Sequence, residues 1–158
     1  MILIAYDGSS DAQAAIHRAG EILKDETATI LSVWERFIDV VTRAGAAPPL
    51  GQFDYEALDR GYEDEARQRV EEGIRLAERA GLQAQPRLRV REDTVAGTVL
   101  AEADEVGATA IVLGTRGLTG LKSLLLGSVS HAVVQRAHVP VLVVPSPATA
   151  AERAAGRG

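Results

Sequence analysis

Four short apolar runs, each closed by a turn signal and parted from the next by more polar, largely helical chain, constrain what this chain can fold into. They are Ile2–Tyr6, Ala28–Trp34, Ala110–Leu113 and Val141–Val144. Runs this short, rich in Ile, Val and Leu, read as strands rather than helices. Because they are mostly apolar rather than alternating, both of their faces must be buried, as in a parallel sheet covered by helices on each side. A fifth run, Gln83–Arg91, sets Leu88 and Val90 against Arg87, Arg89 and Arg91, which predicts a strand with one wetter face.

The intervening segments have helical periodicity. Ser10 with Gln13 reads as a capping box ahead of Ala12, Ala15, Ile16, Ala19, Ile22 and Leu23. A second helix is expected from Tyr62 to Ala80, with Glu63–Arg67 and Glu65–Arg69 spaced as i,i+4 pairs and Gly81 as its stop. A third begins at Thr94 and turns Val95, Val99, Ala103 and Val106 inward, although Gly97 weakens its first turn. The last runs from Ser128 to Ala137 with Val129, Ala132 and Val133 inside. From Glu35 to Gly61 the pattern is irregular, and Gly45 to Gly51, with Pro48-Pro49, marks a loop. A loop of that length is a functional lid or is disordered. The Ala-, Gly-, Glu- and Arg-rich tail from Ser146 is expected to be disordered.

Composition narrows the function classes. The 158 residues carry 17 Lys+Arg against 22 Asp+Glu, a net charge of -5, so there is no basic footprint for a nucleic-acid backbone. No apolar run approaches the roughly 20 residues that span a bilayer. With no cysteine there is no disulfide or thiolate-metal framework. The expectation is a soluble cytoplasmic protein with neither nucleic-acid nor membrane partners.

In a doubly wound sheet, ligands bind beyond the carboxyl ends of the strands where the strand order reverses. Two strand ends stand out, Asp7 after the first and Gly114 after the fourth. The segment Gly114 to Ser130 lacks both the Walker spacing and G-x-G-x-x-G, yet suits an anion. Gly114 and Gly117 allow sharp turns and close approach. Gly127-Ser128-Val129-Ser130 opens a helix whose unpaired N–H groups and positive dipole end face outward. Ser128 and Ser130 add hydroxyls, and Arg116 and Lys122 add charge. Two readings stay open: an anion site, or a strand-to-helix connection in which Ser128 is an N-cap. Asp7 likewise is either an Asx-turn residue or a ligand for a ribose hydroxyl or a bridging metal.

Gly114-x2-Gly117-x9-Gly127-Ser128 resembles the G-2x-G-9x-G-(S/T) spacing of the ATP-binding branch of the universal stress protein family. Tyr6-Asp7-Gly8-Ser9, the approach Gly107 to Gly114, and the closing Val139 to Pro145 resemble it too. The resemblance covers residues 1–145 and implies one domain, followed by the tail 146–158. It implies a single Rossmann-like, doubly wound five-stranded parallel sheet in the order 3-2-1-4-5. It also implies an ATP site. Ala5, Tyr6 and Asp7 would lie against ribose and adenine, and Val33 would meet adenine through its backbone. Leu113 and Gly114 would flank the ribose. Arg116, Gly117, Gly127, Ser128, Val129 and Ser130 would hold the phosphates. Mg²⁺ would arrive with ATP, Asp7 being its one candidate protein contact. Family members pair their last strands, which implies a homodimer through Val141–Val144 and covers that sheet edge.

Other constellations carry less. His17, His131 and His138 are scattered and lack the spacing of a zinc helix. No nucleophile elbow surrounds Ser128. Glu63-Asp64-Glu65 and Glu71-Glu72 read as one solvated helix face, and Glu102, Asp104 and Glu105 as the outer face of another. Trp34 and Phe37 read as core ahead of adenine contacts. The function expected is a nucleotide-responsive regulatory module of the stress response, with the Phe37–Gly61 loop as its responsive part. The alternatives are a slow ATPase or a phosphoryl- or adenylyl-transferring enzyme, and a nucleotide-independent dimeric scaffold. No catalytic residue is assigned, since Asp7 is the one carboxylate placed near the phosphates and nothing resembles a dedicated base.

Overall fold

A computed structural model describes residues 1–47, 54–118 and 126–155. In chain order the elements are β1 (Ile2–Ala5), α1 (Ser10–Ile22), β2 (Thr27–Trp34), α2 (Phe37–Arg43), α3 (Tyr55–Arg79), β3 (Gln83–Val90), α4 (Val95–Glu105), β4 (Ala110–Gly114), α5 (Ser128–Arg136), β5 (Val141–Val144) and α6 (Pro147–Ala155). The five strands form one sheet in the order β3-β2-β1-β4-β5, and every pairing is parallel. The expected fold class and strand order are therefore those observed.

Alternation along β1 explains how the core divides. Ile2, Ile4 and Tyr6 point to one face and pack with Ala15, Ile16 and Ala77 of α1 and α3. Leu3 points to the other and packs with Val99, Ala103, Ile111 and Val133, under α4 and α5. Helices thus cover both faces, and the apolar strands are buried on both sides for that reason. At Gly73 α3 packs tightly on the sheet, where a Cβ would stand 2.7 Å from Ile30 Cγ2.

Several local expectations shift. The α1 cap is Ser9, not Ser10: Ser9 Oγ accepts from the Ala12 N–H (3.2 Å), and the Gln13 side chain reaches Glu72 instead (3.3 Å). Asp7 decides this, since its Oδ1 accepts from the Ser9 N–H (3.0 Å) and sets Ser9 in the extended geometry of a cap. The segment expected to be a loop from Phe37 to Gly61 contains α2 and the opening of α3. That helix starts at Tyr55 because Asp54 caps it through the Ala57 N–H (2.8 Å). The Pro48-Pro49 centre of the loop and Lys122 lie outside the described residues. Gly97 does not weaken α4, since its N–H donates to the Thr94 cap (3.0 Å).

Two corrections concern charge. Glu102 does not face solvent. It is buried on α4 and accepts from Arg87 Nε (2.5 Å) and Arg89 Nε on the edge strand β3. The wetter face of β3 is thus a pair of arginines closing over a buried carboxylate. The tail expected to be disordered from Ser146 holds a helix over its described residues. Ser146 Oγ accepts from the Thr149 N–H (3.2 Å), and α6 follows with Pro147 at its first position, where the missing proline N–H costs no helical bond. Among the described residues, no helix is long and apolar enough to cross a membrane.

Candidate functional site

The chain winds outward from β1 through β2 to β3, then returns to the other side of β1 for β4 and β5. The strand order therefore reverses between β1 and β4, and a crevice opens past their carboxyl ends. Its volume is about 380 Å³, within the range of roughly 300–1,000 Å³ typical of small-molecule sites.

All twelve expected site residues line this one cleft. Ala5, Tyr6 and Asp7 come from the end of β1, and Val33 from β2. Leu113, Gly114, Arg116 and Gly117 come from β4 and the turn after it. Gly127, Ser128, Val129 and Ser130 come from the mouth of α5. Sequence reasoning missed Leu31, Val95 and Val99, which belong with Ala5, Val33 and Leu113 to one apolar cluster that forms the apolar end of the cleft. The i,i+4 spacing of Val95 and Val99 was the available signal, but it reads equally as core. Ser9 and Leu118 were also missed, at the polar end. Trp34 and Phe37 do not line the cleft, and Phe37 packs on Tyr55 and Tyr62 with ring centroids 6.1 and 6.5 Å away.

The polar end is built by Asp7 and the start of α5. Asp7 Oδ1 holds Ser9, and its Oδ2 accepts from the Leu118 N–H (3.1 Å), so one carboxylate pins both lips of the cleft. Asp7 is thus an Asx-turn residue and still lines the site. The N-cap of α5 is Gly127, not Ser128, and no side chain caps the helix. The first N–H groups of α5 therefore have no intrahelical partner and concentrate positive potential at the cleft. Ser128 is exposed there. Ser130 is not a free hydroxyl: it is buried and donates to the Gly114 carbonyl (2.7 Å), tying α5 to β4.

The glycines serve close approach rather than sharp turning. Positive φ occurs at Gly8, Gly45, Gly81 and Gly107, but not at Gly114 or Gly117. A Cβ on Gly114 would stand 2.7 Å from the Asp11 carbonyl carbon, and one on Gly117 would stand 2.6 Å from Asp7 Oδ2. The motif spacing thus records how tightly the β4 exit is folded against α1 and Asp7.

Behind the loop lies Asp11, which the sequence presents as an ordinary first-turn acid. It is 3% exposed. Its Oδ2 accepts from the Thr115 hydroxyl and the Arg116 N–H (3.2 Å), and its Oδ1 from the Ser146 N–H (3.0 Å) and the Thr149 hydroxyl (2.9 Å). Burial alone pushes this carboxyl up, but the bonds from Ser146, Thr115 and Thr149 outweigh it and hold it below the ordinary aspartate value. Tyr6, beneath the cleft, is pushed up to about 12, by burial first and then by the charge of Glu72. Its phenol stays neutral at physiological pH.

Arg116 is the one Lys or Arg among the described residues that line the cleft. Its Nη1 pairs with Glu152 Oε2 of α6 (3.1 Å), and its carbonyl accepts from Ser9 Oγ (3.3 Å). His17, His131 and His138 are exposed and lie outside the cleft. Among the described residues, no cluster of three or more His, Cys, Asp or Glu could hold a metal ion.

A family model described as the universal stress protein family matches residues 1–145. The universal stress protein YxiE of Bacillus subtilis is 33% identical, with 90% of this chain and 97% of that protein covered. Among solved structures, that of the protein MJ0577 of Methanocaldococcus jannaschii superposes with a TM-score of 0.72 at 27% identity, covering 91% of this chain and 94% of that one. A universal stress protein from Archaeoglobus fulgidus, solved in complex with dAMP, gives 0.62 at 23% identity over 90% and 95% of the two chains. At that identity the likeness is one of fold.

Proposed function

Because the chain belongs to the universal stress protein family, we propose that the cleft between β1 and β4 binds an adenine nucleotide, ATP before its shorter relatives, and that the protein is a nucleotide-responsive regulatory module. The observation that carries this is the polarity of the cleft. One end is walled by Ala5, Leu31, Val33, Val95, Val99 and Leu113, and suits the face of a base. The other presents the uncapped start of α5, the exposed Ser128 and Arg116, and suits phosphates. Bound ATP supplies a chain of negative charge, and Mg²⁺ comes with it, with Asp7 as the one carboxylate among the described residues that line the cleft. The dAMP complex of the Archaeoglobus fulgidus protein is consistent, as an adenine nucleotide held on the same fold.

Gly117→Val tests this. A side chain there meets Asp7 Oδ2, displaces the carboxylate from the Leu118 N–H, and drives the lip into the cleft. The wild type is expected to melt at higher temperature with ATP than without, and the variant to lose that rise while keeping its own fold. Affinity should fall roughly tenfold or more, at about 1.4 kcal/mol per tenfold. An unchanged ATP-induced shift in Gly117→Val would remove this loop from the site.

Pairing of two copies through β5 belongs to the same proposal. β5 is an outer strand of the sheet, and an uncovered parallel edge leaves a row of N–H and C=O groups open to another chain. Sedimentation at several concentrations should give twice the 16.7 kDa chain mass. A monomer at every concentration would end the dimer proposal.

A further inference from the structure

The last helix and the anion end of the cleft share two connections. The first is Asp11, whose one oxygen holds the loop at Thr115 and Arg116 and whose other holds the start of α6 at Ser146 and Thr149. The second is the ion pair between Arg116 and Glu152. The family match stops at residue 145, so α6 lies beyond it.

That ion pair is unevenly built. The Arg116 side chain is 13% exposed and Glu152 is 49% exposed. A single contact, Nη1 to Oε2, joins them, while the buried Nε of Arg116 has no hydrogen-bond partner among the described residues. A guanidinium offers five donors in a fixed fork and is best satisfied by two oxygens of one planar or tetrahedral anion. Glu152 fills part of that fork, and a buried guanidinium donor is left over. Phosphate oxygens in the cleft offer more charge and more acceptors than one half-exposed carboxylate.

We propose that Glu152 is an internal stand-in for phosphate, competing with an anionic ligand of the cleft for Arg116, so that filling the anion end loosens α6 from the body of the protein. The inference rests on the nucleotide reading of the cleft and adds to it a specificity-determining residue and an output. Glu152 raises the cost of binding for ligands that use Arg116 and leaves uncharged ones alone. Asp11 keeps the two ends in register: it holds the root of α6 at Ser146 and Thr149 while the Glu152 end lets go.

The test measures ATP and adenosine binding to the wild type, Glu152→Gln, Arg116→Gln and the double variant, together with hydrogen exchange of the α6 amides. Because Glu152 is half-exposed and joins Arg116 through a single contact, the competition is modest, and Glu152→Gln is expected to bind ATP about 3- to 5-fold more tightly. Adenosine affinity should not change. In the Arg116→Gln background the gain from Glu152→Gln should vanish. ATP should speed exchange in α6 of the wild type, and adenosine should not. Unaltered ATP affinity in Glu152→Gln, or α6 exchange indifferent to ATP, overturns the competition while leaving nucleotide binding in place. A wild type that binds no ATP overturns both.

Discussion

Replacing Asp11 with Ala is expected to lower the unfolding free energy by about 3–5 kcal/mol, more than any other single side-chain truncation around the cleft. Four donors converge on this carboxylate, two backbone N–H groups and two hydroxyls; Thr115, Ser146 and Thr149 are buried and Arg116 is partly so. The Thr115 and Thr149 hydroxyls can rotate toward other acceptors, but the N–H groups of Arg116 and Ser146 cannot, and a buried orphaned donor costs about 1–3 kcal/mol each. The cost should be visible as a lower urea midpoint with an unchanged slope. A loss below about 1 kcal/mol would mean that the donors find other partners and that Asp11 is not the hub.

The same carboxylate gives the protein an acid-sensitive limb. Its folded value lies below the ordinary one, so its contribution is fully present above the unfolded value of about 3.9 and fades as pH falls through the folded value. Wild-type stability should therefore drop more steeply than that of Asp11→Asn as pH is lowered from about 5. Parallel curves for the two proteins would assign the acid limb to other groups.

Gly114→Val is the second large effect, through packing rather than polarity. A Cβ there meets Asp11 C at 2.7 Å, Ala12 N at 2.8 Å and Asp11 Cβ at 2.8 Å, two backbone atoms of α1's first turn and the Cβ fixed to it rather than the movable end of a long side chain. Room can be made only by moving α1 off β4, which breaks the bonds from Thr115 and Arg116 to Asp11. Overpacking in a fixed core costs about 1–3 kcal/mol, and the added methyl groups and loss of those bonds take Gly114→Val beyond that range. Soluble expression should fail, or the melting temperature should fall by about 10 °C or more, at about 2–4 °C per kcal/mol for a chain of this size. Gly117→Val, which meets a side-chain oxygen instead, should fold while losing ligand. If Gly114→Val folded as well as Gly117→Val, the close approach of α1 to β4 would not be what demands glycine there.

The sheet was legible in the sequence because burial on both faces makes the strands predominantly apolar, with only small hydroxyl residues such as Thr29 and Ser32 admitted. Ile2–Tyr6, Ala28–Trp34 and Ala110–Leu113 carry that pattern in plain view, and their ends point to Asp7 and Gly114, while the other strand-end residues of the site, Ala5, Tyr6, Val33 and Leu113, came from the resemblance to the family. What stayed hidden depends on tertiary partners. Glu102 looks like any helix-surface acid until β3 brings Arg87 and Arg89 over it. Asp11 looks like a charge complementing a helix dipole until Thr115 and Ser146 close on it.

The helix α6 was half legible. Its composition resembles a solvated tail, yet Ser146-Pro147-x-Thr149 contains a capping serine with proline at the first helical position. The choice of Ser9 over Ser10 as the cap of α1 was hidden for a different reason. Both residues suit the role, and the Asp7 turn, a feature of the site, selects between them. The glycine motif was found by its spacing, while its cause lay in α1 and Asp7, at the other end of the chain.

The central claim, that the crevice between β1 and β4 is a nucleotide site, is tested most directly by titrating ATP into the purified protein with Mg²⁺ and recording the heat. The account predicts one ATP per chain, weaker binding by adenosine, and heat that is largely lost in Gly117→Val while that variant's melting curve stays cooperative. An absence of heat and of any thermal shift with ATP, in a folded wild type under conditions where a control binder responds, would contradict it.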